Sequence, residues 1–351
     1  MVPLTDISSP RAARTAALLT GLALAAVLIA ATVVVLGAYV RLTAAGLGCP
    51  DWPGCYGHLT PLAGTALDVG KAWREMIHRY AASTLGLVIV IIAALAIVRR
   101  RDHIVSPLYA VALLLLVVAQ GALGMLTVTW QLKPLIVTLH LLFGLTTLST
   151  VWWLWLSLRS ARRPGAAGTA WPPSHAELGA ERLARVLAAV ALPVLAVQIA
   201  LGGWTSSNYA AIACPDLPTC QSAWWPPAMD FRDAFVLWRA PSINYEGGVL
   251  GGAARVAIHF THRLGAIVTT TVLLLTVLAV WRARTLIRAR RAALAVLGAL
   301  VLQLTVGLSM VHYGFPLTLA TAHNAGAALT LLAVIALYHR VYGRRDGRLR
   351  A

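Results

Sequence analysis

The stretch GAYVRLTAAGLGCPDWPGC, residues 37–55, returns as GGWTSSNYAAIACPDLPTC, residues 202–220, at an offset of 165. Each copy follows a long apolar run and opens a polar loop. Past the loop the offset becomes 183 or 184: MIHRYAA (76–82) is matched by FTHRLGA (260–266), and QGALGML (120–126) resembles QLTVGLS (303–309). PLIVTLHLLFG (134–144) likewise matches PLTLATAHNAG (316–326), its His140 standing 183 residues before His323. Self-similarity of this extent reads as an internal duplication, with the second loop longer by about 19 residues.

Composition fixes the surroundings of both copies. Of 351 residues 59% are hydrophobic and 12% charged, and the mean hydropathy is +0.76. A water-soluble domain carries about a quarter of its residues as charges. Eight apolar segments, near 16–40, 77–98, 106–128, 134–158, 184–204, 257–281, 292–312 and 317–339, approach or exceed the roughly 20 residues a helix needs to cross a bilayer. The first is too long for a signal-peptide core and has no clear small-residue cleavage site, so it reads as a retained span. The expected fold is all-α and integral to the membrane: eight transmembrane helices as two pseudo-symmetric four-helix bundles. Residues 1–158 form the first, with an outer loop at 41–76; 159–183 is a cytoplasmic linker; 184–351 is the second, with an outer loop at 205–256. Four spans per copy give both copies one orientation, related by an axis along the membrane normal.

The 29 Lys+Arg exceed the 12 Asp+Glu by 17, which in a soluble chain would suggest nucleic acid. Sorted by loop, 20 basic residues lie on the side of the termini, Arg99, Arg100, Arg101, Arg290 and Arg291 among them, and nine on the other. With acidic residues divided five and seven, the two sides net +15 and +2. The positive-inside rule then puts both termini in the cytoplasm and explains the charge without nucleic acid. Only a short stretch with Arg11 and Arg14 precedes the first span, unlike an organelle presequence, so a bacterial cell membrane is the expected location.

All four cysteines fall in the two outer loops, Cys49 and Cys55 in one, Cys214 and Cys220 in the other. An extracytoplasmic, oxidising compartment favours disulfides. Four cysteines allow three pairings; the repeated spacing favours Cys49 with Cys55 and Cys214 with Cys220, and bridges between the loops stay open. Zinc is the weaker reading, since the intervening prolines and the lack of nearby paired histidines do not suit its ligand spacing.

Of ten histidines, four stand at equivalent places: His78 and His140 in the first copy, His262 and His323 in the second. His78 opens the second apolar segment, and His140 lies about six residues into the fourth, roughly 9 Å along the helix. Ionisable groups inside a membrane mark sites more often than packing. A pair facing across a four-helix bundle suits a flat metal macrocycle held by two axial imidazoles; a proton relay or polar transport path is the alternative. Arg79 and Arg263 follow directly, placed to bind a propionate or to snorkel at a helix end. Three residues before His78 stands Glu75, and three before His262 stands His259. Positions three apart share a helix face, so the copies differ beside the ligand, one site for chemistry and one for electrons. Gly121, Gly124, Gly202 and Gly203 offer close helix approach.

Taken together, Glu75, His78 and Arg79, then His140, His262 with Arg263, His323, the paired outer cysteines and the eight duplicated spans resemble the haem A synthase family over nearly the whole chain. The resemblance implies two similar four-helix bundles and oxidation of the C8 methyl of haem O to a formyl group, through two successive hydroxylations and loss of water. It implies haem b on His262 and His323, the substrate haem O on His78 and His140, and Glu75 as important for catalysis. It makes the outer cysteines disulfide-forming, the first pair linked to haem transfer or activity, and leaves His259 unassigned. A membrane enzyme that supplies haem O and an unidentified electron acceptor are the implied partners. A di-haem b-type electron-transfer subunit would use the same four ligands. A parallel-repeat transporter would instead place broken helices and polar groups at mid-membrane.

Overall fold

The computed structural model describes residues 9–61, 68–161, 174–239 and 243–342. Among these, eight helices are long and apolar enough to cross a membrane: α1 (Pro10–Leu42), α2 (Val69–Val98), α3 (Pro107–Thr129), α4 (Pro134–Ala161), α5 (His175–Ser207), α7 (Gly252–Arg282), α8 (Arg290–His312) and α9 (Leu317–Tyr342). A short helical turn, α6 (Phe231–Ala234), interrupts the second long loop, where Trp204 Nε1 donates to the Ala234 carbonyl. Residues 162–173, the middle of the expected linker, lie outside the described residues.

Several helices begin ahead of the apolar segments because capping, not hydropathy, sets their ends. Asp68 accepts the Lys71 amide at 2.9 Å and starts α2 a little over two turns before Ile77. Ser174 and Glu177 form a capping box at the head of α5, satisfying two amides that the helix itself leaves without partners. His78 therefore does not open its helix: it is the tenth residue of α2, and His262 the eleventh of α7.

The chain divides into two compact units, Met1–Gly165 with Ala240–Glu246, and Ala166–Arg239 with Gly247–Ala351. In the first, α1 and α3 each pack against both α2 and α4, which puts α2 and α4 on a diagonal. In the second, α5 and α8 each pack against both α7 and α9, and α7 faces α9 in the same way. Inside the first unit, the buried Tyr245 donates its backbone N–H to the Gln131 carbonyl at 3.0 Å.

The helices turn many small residues toward one another and leave a number of large ones on the outer face. On α1, Ala16, Ala23, Ala26 and Ala30 are buried while Leu18 and Leu28 are exposed. Lipid is as apolar as leucine, so close backbone approach rather than burial of bulk holds such helices together.

Candidate functional site

Each of the four paired histidines rests against a glycine of the neighbouring helix. A Cβ added to Gly37 of α1 would lie 2.9 Å from His78 Cε1; one on Gly124 of α3, 3.3 Å from His140 Cε1. In the second unit a Cβ on Gly202 of α5 would meet His262 Cε1 at 3.1 Å, and one on Gly307 of α8 would meet His323 Cε1 at 2.9 Å. Any side chain there would push the imidazole away, so these glycines set where the rings lie. Of the glycines expected to permit close approach, Gly124 and Gly202 serve this purpose, Gly203 is buried, and Gly121 faces open space.

The histidines group in pairs. His78 on α2 and His140 on α4 lie within Coulombic range of one another, as do His262 on α7 and His323 on α9. Nδ1 of His78 and of His140 is buried and makes no well-formed hydrogen bond, the backbone of Val33 lying against the first side chain and that of Gln120 against the second. Among the described residues no three of His, Cys, Asp and Glu gather as a bare metal ion would need. Two imidazoles on diagonal helices, each seated against a glycine, do fit a metal macrocycle, which brings four equatorial nitrogens of its own.

Glutamines brace three of the four rings. Gln120 Nε2 on α3 is 3.4 Å from His140 Nε2 and donates to the His140 carbonyl at 3.1 Å. Gln303 Nε2 on α8 is 3.3 Å from both ring nitrogens of His323. Gln198 Nε2 on α5 is 3.2 Å from His262 Nδ1 and donates to the His262 carbonyl at 3.1 Å. The sequence reading aligned Gln120 with Gln303 without giving either a role; an amide one turn before a histidine-facing glycine was the available signal.

Above the bundles the cysteine loops are tied down by arginine. Cys49 is bonded to Cys55, and Cys214 to Cys220. Arg79 Nη1 donates to the carbonyls of Asp51, Pro53 and Gly54. Arg263 Nη1 donates to those of Asp216 and Thr219, and its Nη2 to that of Cys214. The planar guanidinium fork suits such multiple acceptors. Both arginines are thus engaged by the loops, a role the sequence reading did not foresee when it considered a propionate.

Within each loop an aspartate gathers two successive amides. Asp51 accepts from Tyr56 and Gly57 at 2.6 and 2.8 Å; Asp216 accepts from Gln221 and Ser222 at 2.7 and 2.9 Å and from the Thr219 hydroxyl. The donors sit at positive φ, from 53° to 76°, forming the concave arrangement of N–H groups that binds anions. Slight burial opposes ionisation of Asp51, but the Gly57 and Tyr56 amides and Arg79 outweigh it and hold its carboxyl below the usual range. Asp216 is likewise lowered, chiefly by Thr219, then by the amides of Ser222 and Gln221.

The two units part company at the residue three before the first histidine. Glu75 is buried, its Oε2 accepting the Cys49 amide at 2.9 Å and its Oε1 the Arg79 Nη2 at 2.5 Å. His259 is equally buried, edge-on to Phe315 at 6.3 Å between ring centroids, with Nδ1 lacking a partner. With no carboxylate beside it, Arg263 spends its second amino group on the Cys214 carbonyl instead.

Two half-buried histidine pairs, each on the diagonal of its own helical unit and beneath a disulfide-closed loop, define a multi-pass membrane protein of distinct class. Residues 20–335 match the COX15-CtaA family, described as cytochrome oxidase assembly protein, and the chain belongs to that family. It is 40% identical over 331 residues to a heme A synthase of Shewanella oneidensis, covering 91% of this chain and 95% of that protein. It is 25% identical to a heme A synthase of Granulibacter bethesdensis (88% and 83% covered) and 27% identical to one of Halalkalibacterium halodurans (82% and 85%).

Proposed function

We propose that this protein is a haem A synthase that oxidises the C8 methyl of haem O to a formyl group, replacing two methyl hydrogens by oxygen in a four-electron oxidation. The observation that carries this reading is the pair of glycine-backed imidazoles on the diagonal helices of each unit. His78 and His140 hold the substrate haem O, and His262 and His323 hold haem b. Haem b, when bound, supplies a one-electron redox centre through which electrons leave toward an acceptor.

The protein's own share is position and charge. The four glycines keep the imidazoles at fixed places along their helices, which orients a bound macrocycle before any chemistry occurs. Glu75 stands one helical turn from His78, fixed by Arg79 and by the Cys49 amide. A carboxylate has about four acceptor sites, so two remain for positive charge developing at the methyl carbon or for a proton leaving it. His259, at the corresponding place in the other unit, supplies no negative charge, consistent with an electron-transfer role there. The arginines and disulfides hold the loops over the histidine-bearing ends of the bundles; a propionate contact is a secondary role for them.

In this reading the protein sits in a bacterial cell membrane with both termini cytoplasmic and the cysteine loops outside. A membrane enzyme delivers haem O, whose long apolar tail stays in lipid. Two duplicated bundles give one chain a substrate site and a cofactor site.

The test is to express the full chain with a source of haem O and chromatograph the extracted haems. Formyl-bearing haem A, lost in Glu75→Ala while the haem b spectrum persists, supports the synthase. Two retained b haems with rapid quinol oxidation and no modified haem would replace it with an electron-transfer subunit.

A further inference from the structure

The apolar outer stripe of α7 ends under the second cysteine loop. Leu264, Ile267, Val268, Leu274, Leu275 and Leu278 are exposed and recur every three or four residues, so one face of the helix looks outward along a span apolar enough to cross a membrane. Phe260 continues that face by one turn, about 6 Å, toward the loop, yet it is buried. The loop itself covers it. Cys214, Cys220 and Met229 pack in one cluster with it, and the Trp225 ring meets it edge-on with centroids 5.1 Å apart.

Trp224 and Trp225 stay largely open, 75% and 65% exposed, and their placement is firm. Ala223 and Cys220 exchange both backbone hydrogen bonds, at 3.2 and 3.0 Å, so the pair leaves directly from the disulfide ring that Arg263 holds. Pro226, which follows, is buried and fixes the chain on the far side. The first loop builds the same turn: Cys55 and His58 exchange their backbone bonds, and Pro61 is buried. Its two outward residues, however, are Leu59 and Thr60. The turn therefore forms without indoles at these positions.

We infer that Trp224 and Trp225 seat the second cysteine loop in the phospholipid headgroup layer, on the side of the membrane where the cysteine loops lie. Each indole has roughly 150–250 Å² of ring surface to withdraw from water and one N–H that needs an acceptor, and headgroup level meets both demands, with acyl chains below and ester and phosphate oxygens above. The height is set by α7: the pair stands over Phe260, one turn beyond the first exposed leucine of the outer stripe, where hydrocarbon gives way to headgroups. The second disulfide ring is then held from two sides, by Arg263 on the bundle and by lipid through the indoles. This inference does not depend on which haem either unit binds.

The experiment uses the full chain in phosphatidylcholine nanodiscs, which leave both membrane faces open to solvent. All four cysteines are bridged, so the thiol of Trp224→Cys alone takes a nitrobenzoxadiazole label. A nitroxide on the lipid headgroup should quench that label at least about twice as strongly as one at the middle of the acyl chain. For Ile267→Cys, about 10 Å farther along α7 than Phe260, the order should reverse. Equal quenching patterns at the two positions overturn the inference. So does a label at 224 that neither nitroxide reaches, whether iodide quenches it from the water or a second protein surface shields it. If Trp224→Cys does not accumulate, the indole emission that disappears in Trp224→Tyr with Trp225→Tyr decides. In wild type that share should be quenched by the headgroup nitroxide, and a share indifferent to both lipids overturns the inference.

Discussion

Glu75 Oε2 accepts the backbone amide of Cys49 at 2.9 Å, so the carboxylate of α2 holds the disulfide loop by its main chain at the residue where the bridge begins. The same side chain is paired with Arg79, which grips three further carbonyls of that loop. Loop position and carboxylate position are therefore one structural variable in the first unit.

Glu75→Gln keeps the volume and one acceptor oxygen but removes the charge. Haem A formation should fall by on the order of 10²-fold or more, with haem b retained. Glu75→Ala adds a structural cost, since the Cys49 amide and Arg79 lose a buried partner; about 2 kcal/mol is expected. A lower melting temperature and faster proteolysis within 43–61 are the readouts. Unchanged loop proteolysis in the alanine variant would separate the carboxylate from the loop.

Gly202→Ala and Gly307→Ala drive a methyl into the rings of His262 and His323. Both should lower haem b per chain, read as pyridine haemochromogen, with the larger loss at Gly307, where the approach is closer. Gly298→Ala, on the same α8 but with nothing within 4 Å, is the control. It should leave haem content unchanged and stabilise the helix by about 0.5–1 kcal/mol.

Lysine cannot replace arginine at position 263. One ammonium on a flexible stem does not reach the Asp216, Thr219 and Cys214 carbonyls in one plane as the guanidinium does. Arg263→Lys should leave the Cys214–Cys220 bridge more open to a mild reductant, with thiol labelling rising severalfold. Equal labelling of wild type and variant would show that the fork does not guard the bridge.

Acid should loosen both loops late. The carboxyls of Asp51 and Asp216 lie below their ordinary range in the folded protein. Their contribution is therefore full above the unfolded value, about 3.9, and is lost as pH falls through the lower folded value. Amide exchange at Tyr56, Gly57, Gln221 and Ser222 should stay protected at neutral and mildly acid pH and rise only in strong acid. Asp51→Asn and Asp216→Asn should flatten that dependence. Protection lost already near pH 6 would point to other groups.

The number of spans was legible in the sequence because hydropathy is a one-dimensional signal. Helix starts were less so: Asp68 and Ser174 cap α2 and α5 outside the apolar windows, which moved His78 from the helix entrance to its third turn. The glycines were visible, but their purpose was not, since nothing in a spacing says that Gly37 faces His78 across two helices. The arginine clamps were hidden for a related reason. Their acceptors are main-chain carbonyls, which every residue has, so no side-chain pattern records them. Gln198 was missed because the equivalent position in the other copy is Val33, and a search by repetition rewards only what recurs.

Each cysteine loop is captured by an arginine that lies downstream of it, on the helix that the chain enters next. The bridge closes the loop on itself, and the arginine fixes where that closed ring sits, so the shape of the ring and its seat on the helix are secured by separate bonds, one covalent and the other to the main chain.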